Sequence, residues 1–381
     1  MIPYGKQHIT DDDIAAVIET LQSDFLTQGP KIAEFEQAFA AYVGSSYAVA
    51  VNNGTAALHL GVLALGLQPH HKVITTPITF AASANCIQFC GAQVLFADID
   101  PHTFLIDINQ VEALCQTHKD VVGIIPVDFA GYPVHMEQLR SVAQKYGLWI
   151  LEDACHAPGA WFTDSQGTTQ LCGNGVFADA TVFSFHPVKH IATGEGGMIT
   201  TNNKELYEKL LMLRTHGITR NPELLHENHG GWYYEMQELG YNYRITDFQC
   251  ALGISQLKRA QASLLRRNQI AHHYTQAFAQ CKHITTPFVA ADVFHAYHLY
   301  VIRVPNRKEL YDYLRTKDIF TQVHYIPVHT MPYYKAQGYK QGDFPIAEAY
   351  YATCLSLPMY PSLQQHEQDF VISTILDFYT S

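Results

Sequence analysis

A mostly parallel seven-stranded α/β sheet with a smaller α+β unit behind it is the fold class predicted for this 381-residue chain. Three observations predict it. From residue 47 to residue 201, short apolar runs of strand length alternate with segments of helical spacing. That is the pattern of strands joined by crossover helices and buried on both faces. A long helical stretch from Thr246 to about Phe278 then reads as a connector. Beyond it, a strand, a helix, a second strand and two helices suit a compact α+β unit. The expected division is a large domain over residues 1–255 and a small one over 256–381.

The elements follow in order. Residues 11–22 open on three aspartates, which favour a helix N-terminus, and continue with apolar residues at helical spacing. Residues 31–43 form a second helix. Tyr47–Val51 is a strand, 52–55 a turn and cap, and 56–65 a helix rich in Ala and Leu. Strands are expected at 73–76, 93–97, 121–127 and 148–151, with helices at 80–90, 108–117 and 136–146. Strands near 181–185 and 197–201 complete the sheet, the last one antiparallel across Thr193-Gly-Glu-Gly-Gly197. After the connector come a strand at 297–304, a helix at 307–316, a strand at 319–324 and two helices. Residues 216–240, rich in His, Gly, Asn and Tyr, are expected to be a loop.

Composition narrows the functional classes. The chain is 48% hydrophobic, too apolar for a disordered protein. Net charge is −11 and no basic stripe occurs, so no nucleic-acid partner is expected. No apolar run approaches the length of a membrane span, and the first residues lack a secretory pattern, so a cytoplasmic protein is expected. Eight cysteines without a C-x-x-C fit a reducing compartment. The 21 histidines are scattered without metal-ligand spacing, and no metal is expected. Charged residues make up only 15% of the chain. Apolar subunit interfaces are poor in charge, so this thin surface predicts an oligomer.

Chemistry is sought at the carboxyl ends of the strands, where open α/β sheets bind ligands. After Val51 comes Asn-Asn-Gly-Thr-Ala, small residues at a helix start whose N–H groups can cradle a phosphate, although an ordinary capped helix accounts for them too. After Leu151 come Glu152, Asp153 and His156. A carboxylate there is either a structural cap or the partner of a protonated ring nitrogen, and His156 alone suits a core histidine. After Ser184 comes Lys189, flanked by Val188 and Ile191. An apolar pocket favours the neutral, nucleophilic amine. Phosphate cradle, carboxylate and apolar lysine together suit pyridoxal 5′-phosphate.

These residues sit in longer segments that carry a family resemblance: DFLTQGP at 24–30, NNGTAALHL at 52–60, TTPITFAASAN at 75–85, EDACHAPGA at 152–160, TVFSFHPVKHIATGEGGM at 181–198, LGYNYRITDFQCALGISQL at 239–257 and HYIPVH at 324–329. Over essentially its whole length the chain resembles the nucleotide-sugar aminotransferases of the DegT/StrS group. The resemblance implies the pyridoxal-phosphate-dependent transferase fold type I, like that of aspartate aminotransferase. It makes Lys189 the lysine that bonds the cofactor and Asp153 the partner of its ring nitrogen. Thr55, Ala56 and Ser184 would hold the phosphate, Phe80 would stack on the ring, and His156 would lie beside it. Asn242 would complete the phosphate site of a neighbouring subunit in a homodimer. Related dehydratases carry histidine in place of the lysine; this chain keeps Lys189 ahead of His190, which implies transamination.

IPYG at 2–5, WYYEMQELGYNYR at 232–244 and VHYIPVH at 323–329 are similar to the subgroup of C4 aminotransferases of pseudaminic acid biosynthesis. That similarity implies UDP-4-keto-6-deoxy-N-acetyl-β-L-altrosamine and L-glutamate as substrates. The substrate contacts it implies are Tyr4, Asp24, Phe25, Leu26, Thr27, Ala56, Ser184, Asn242, Gln322, Val323, His324 and Tyr325. Arg220 and Arg244 are candidate cations for the diphosphate, and a solvated surface arginine accounts for either equally well.

Overall fold

The computed structural model describes residues 1–380. Its centre is a seven-stranded sheet built from β1 (Tyr47–Val51), β2 (Lys72–Thr75), β3 (Gln93–Phe96), β4 (Val121–Ile125), β5 (Trp149–Asp153), β6 (Ala180–Ser184) and β7 (Gly197–Thr201). The spatial order is β1-β7-β6-β5-β4-β2-β3. Only β7 runs against the others, pairing antiparallel with both β1 and β6. Fold type I is thereby present, with the expected antiparallel member at the expected place.

The apolar strands read continuously because both faces of the sheet are covered. Side chains alternate along β1: Val49 and Val51 join one core with Leu58, Leu60 and Val62 of α3 (Gly54–Ala64). Ala48 and Ala50 join another with Phe35 and Phe39 of α2 (Pro30–Val43) and with Phe183 and Phe185. The same period sends Ile150 and Leu151 of β5 to different cores. The two N-terminal helices, α1 (Asp11–Leu21) and α2, pack against the helix Asp247–Leu257, which Asp13 ties down by accepting from Gln256 and Arg259.

The long helix Ala260–Phe278 leads into a further core, where Ile270, Tyr274 and Phe278 meet β8 (Tyr300–Arg303) and β9 (Cys354–Leu357). Here the observed elements depart from those expected. The strand at 297–304 begins only at Tyr300, because Tyr297 adopts a left-handed backbone (φ 48°). Residues 319–324 are not a strand. Ile2 bonds Asp318 and Phe320, whereas Gln322 exchanges bonds with Ser356, so no single neighbour forms a ladder. The true partner of β8 is β9, at Cys354–Leu357. Within 216–240, Ile218–Thr219 pairs with Glu235–Met236, a short hairpin inside the expected loop. A further hairpin, Trp161–Thr163 with Thr169–Leu171, adds Val293–Phe294 as a third strand. Among the described residues, no helix is long and apolar enough to cross a membrane.

Gly197 is the joint that brings the strand ends together. It pairs with Val51 on one side and Ser184 on the other. A Cβ at Gly197 would lie 2.5 Å from the Asn53 carbonyl oxygen. Gly197→Ala should therefore cost about 1–3 kcal/mol of unfolding free energy, the range for overpacking. Urea denaturation checks this; an unchanged midpoint would show that the approach is not tight.

Candidate active site

A cavity of about 740 Å³ opens where β1, β5 and β6 end and α3 begins. On its α3 side, Asn53 caps the helix by accepting from Ala56 N–H at 2.8 Å. The Gly54 and Thr55 amides in the first turn have no hydrogen-bond acceptor among the described residues. They lie beside Ser184, whose Cβ is 3.0 Å from where a Gly54 Cβ would stand. Free amides at a helix N-terminus next to a hydroxyl make a site for a phosphate.

Asp153 is the last residue of β5 and is only 6% exposed. Its carboxylate accepts from Ser83 Oγ at 2.6 Å and from Cys155 N–H at 3.2 Å. Ser83 sits in the first turn of α4 (Ala82–Phe89), and its oxygen also lies 2.7 Å from Thr79 Oγ1. These donors hold the carboxylate in the cavity wall and leave it lone pairs for another cation.

Lys189 follows a turn closed by its own N–H to the His186 carbonyl at 2.8 Å. Its Nζ has no hydrogen bond or ion pair among the described residues. Burial lowers its pKa to about 8, opposed by Cys155 and Asp153. At pH 7 such a lysine is about one-tenth neutral, several-hundred-fold more than an ordinary lysine.

The remaining wall is aromatic and neutral. His156 Nδ1 accepts from Ala130 N–H at 3.2 Å. That leaves the proton on Nε2, which donates to Tyr325 Oη at 3.2 Å. Burial, with Lys189 nearby, keeps His156 and His298 well below the usual histidine range and brings His324 down to about 3. Phe80, 63% exposed, covers the mouth with its ring centroid 6.3 Å from that of Tyr325. Tyr4 lies 5.4 Å from His324, centroid to centroid.

The geometry supplies a phosphate cradle, a buried anion and an unpartnered lysine around one cavity. A family model, the DegT/DnrJ/EryC1/StrS aminotransferase family, matches residues 7–376. The chain belongs to this family. The spore coat polysaccharide biosynthesis protein SpsC of Bacillus subtilis is 44% identical, over 99% of this chain and 96% of that protein. A Campylobacter jejuni UDP-4-amino-4,6-dideoxy-N-acetyl-beta-L-altrosamine transaminase is 37% identical, over 98% of this chain and 96% of that protein. Spr1654 of Streptococcus pneumoniae, solved in a PLP-form, superposes with a TM-score of 0.89 at 30% identity, covering 98% of this chain and 97% of that one. It is also solved in a PMP-form. The family is pyridoxal-phosphate-dependent, and the residues around this cavity fit that cofactor: free amides for its phosphate, Asp153 for its ring nitrogen and Lys189 for its carbonyl carbon.

The structure brings Tyr4, Thr55, Ala56, Phe80, Asp153, His156, Ser184, Lys189, His324 and Tyr325 to this cavity. It does not bring the other expected residues there. Asp24 to Thr27 are exposed, on a segment joined to Thr246 and Asp247 by Thr27 and the Leu26 carbonyl. Asn242 is exposed beside Thr215. Gln322 is exposed, and Val323 packs between the core that holds Ile150 and the one that holds Ile270 and Tyr274. Arg244 lines a separate pocket with Arg214, and Arg220 lies over the Tyr234 ring. His190 turns away, with Nε2 2.9 Å from the Ala296 carbonyl. Sequence reasoning missed Ser83, Tyr243 and His298. Ser83 had a signal, as the serine four residues after Thr79 at a helix start; Tyr243 lies far from every expected strand, and His298 stands at the amino end of the expected strand 297–304, whereas chemistry was sought at carboxyl ends.

The lysine's lowered pKa sets an expectation. Capture of pyridoxal phosphate by the apoprotein should accelerate about tenfold per pH unit below pH 8 and level off above it. Stopped-flow absorbance measures this. A flat profile between pH 6 and 9 would contradict the shift.

Proposed function

We propose that this chain transfers the amino group of L-glutamate to C4 of UDP-4-keto-6-deoxy-N-acetyl-β-L-altrosamine, giving the UDP-4-amino-4,6-dideoxy sugar and 2-oxoglutarate in pseudaminic acid biosynthesis. The observation that carries amino transfer is the unpartnered, pKa-lowered Lys189 facing a cavity that also presents Asp153. The Campylobacter jejuni relative and the segments 2–5, 232–244 and 323–329 support the choice of sugar.

Pyridoxal phosphate, when bound, supplies an electron sink for the Cα of the amino donor. Lys189 Nζ, partly neutral, would take the Cα proton of the amino donor and pass it to the cofactor's carbonyl carbon, and in the second half would carry a proton from that carbon to C4 of the sugar. Asp153 would stand against the ring nitrogen as the counter-charge, and Ser83 and the Cys155 amide keep its carboxylate aimed. The free Gly54 and Thr55 amides and the Ser184 hydroxyl would hold the phosphate, with Ala56, whose N–H is given to Asn53, lining the cradle. His156 and Tyr325, tied to each other, form a neutral wall that orients without adding charge. Phe80 and Tyr4 cover the mouth and limit water.

The working unit in this reading is a homodimer. Among the described residues no arginine lines the cavity, although both substrates are anions. Asn242 is exposed, next to a segment whose Trp232, Met236 and Leu239 are 74%, 65% and 77% exposed. A partner docked over that surface would receive Asn242 and the cations that one chain lacks. A second reading, a different nucleotide 4-keto sugar at the same site, is favoured by the higher identity to SpsC.

Glutamate with each of the two C5-epimeric UDP-4-keto sugars separates these readings. Turnover of the L-configured sugar, reduced by more than about 10²-fold in Lys189→Ala, is expected; turnover of the D-configured sugar alone would favour the second reading. For the dimer, Lys189→Ala and Asn242→Ala chains, inactive separately, should regain activity when mixed after dissociation. Confirmed hybrids without activity would place Asn242 outside the shared site.

A further inference from the structure

On the opposite face of β5 from Asp153 lies a carboxyl pair that the reaction above does not use. Glu152 precedes Asp153, so its side chain turns to the other face of the sheet. Asp128 follows β4 by three residues. Asp128 is 0% exposed and Glu152 3%. Glu152 Oε2 accepts from Thr181 Oγ1 at 2.7 Å and from Gly173 N–H at 3.3 Å. Asp128 Oδ1 accepts from Val134 N–H at 2.8 Å. Asp128 Oδ2 is fully buried and receives no donor in good hydrogen-bond geometry, although the Cys172 thiol faces the same carboxyl. One oxygen of each carboxyl and Cys172 Sγ all lie within 4.8 Å of one another.

Neither carboxyl takes part in an ion pair among the described residues. Two carboxylates this close in a dry interior do not both ionise. A proton between them removes one charge and gives the orphaned Oδ2 a role. We propose that Asp128 and Glu152 share one proton, resident on Asp128 Oδ2 and donated to Glu152, and that this link positions Asp153. The proton belongs to Asp128 because Glu152 already receives two donors.

The backbone shows how the link acts. Asp128 N–H donates to the Asp153 carbonyl at 3.0 Å, and Asp153 N–H donates to the Pro126 carbonyl at 2.9 Å. The segment 126–128 thus grips Asp153 through its backbone and Glu152 through the shared proton. Burial and the nearby Glu152 push the Asp128 carboxyl well above the usual range, and burial raises Glu152 as well. The other titratable groups facing the pair are Cys172, Cys155 and Asp153. Burial, followed by Asp128 for Cys172 and by Asp153 for Cys155, holds both thiols protonated, and the Asp153 charge disfavours a second negative charge on Glu152. That Asp128 and Glu152 are positioning residues rests on the reading of Asp153 as partner of the ring nitrogen; the shared proton does not.

The test is Asp128→Asn, whose amide keeps a donor toward Glu152 and an acceptor for Val134 without a titrating proton. The folded parent retains a proton that its unfolded chain releases above the ordinary carboxylate pKa, so parent stability falls as pH rises toward the raised folded pKa. Asp128→Asn lacks this term. With pyridoxal phosphate saturating, the ratio of the parent's unfolding constant to the variant's should rise by up to about tenfold per pH unit between pH 5 and 8. A ratio independent of pH would overturn the shared proton. So would a metal ion bound stoichiometrically in the parent and absent from Asp128→Asn. For the positioning role, Asp128→Ala should shift the absorbance of the bound cofactor and Asp128→Asn should restore it. If the ratio behaves as stated but Asp128→Asn itself shifts that absorbance, the proton stands and the positioning role falls. Should an Asp128 variant fail to fold, Glu152→Gln takes its place in the stability series and Glu152→Ala its place in the absorbance series, with the same expected outcomes.

Discussion

The buried carboxylate of Asp153 is the constraint on which the rest of the site depends. A carboxylate taken out of water costs several kcal/mol unless donors or a cation compensate. Its donors come from two separate pieces of chain, Ser83 at the start of α4 and the Cys155 amide just past β5. The strand end itself is held between the carbonyls and amides of residues 126–128 and Val182. An anion fixed in this way has spare lone pairs but no cation of its own. The same dry surroundings depress Lys189 and the neighbouring histidines. One desolvated pocket thereby prepares a fixed negative charge on one side and a reactive amine on the other.

Neutral histidines serve this arrangement better than charged ones. An imidazolium beside Lys189 would lower the lysine further but would also compete with a protonated ring for Asp153. The hydrogen bond from Ala130 to His156 Nδ1 fixes the tautomer and ties that ring to Tyr325. Arg267, 1% exposed, is the buried cation in this region, and its guanidinium is spent on the carbonyls of Tyr297, His298 and Met359. It fixes the segment carrying His298 instead of binding ligand.

The large sheet was legible in the sequence because every strand is buried on both faces and so reads as an unbroken apolar run. That Lys189 and Asp153 line the cavity was legible for a related reason, since Asp153 ends the apolar run of β5 and Lys189 follows that of β6 by five residues. The C-terminal sheet was not. Cys354–Leu357 pairs with Tyr300–Arg303 across more than fifty residues, and no local period announces a partner at that distance. Residues 319–324 carry a strand-like composition but divide their backbone bonds between Ile2 and Ser356. Ser83 and Asp128 escaped notice because their meaning lies in what they face, and spacing alone does not report that.

The short segment 241–243 has a consequence of its own. Tyr241 and Tyr243 stack with centroids 5.0 Å apart, Tyr243 lines the cavity of its own chain, and Asn242 between them is exposed. The Tyr243 carbonyl also receives the Asn52 amide at the end of β1. A single extended stretch therefore presents alternate side chains to the inside and the outside. In a dimer of the proposed kind, such a stretch belongs mechanically to two cavities at once. Any displacement that admits ligand to one would be felt in the other, so the two sites would communicate through three residues of backbone without any rearrangement of the sheet.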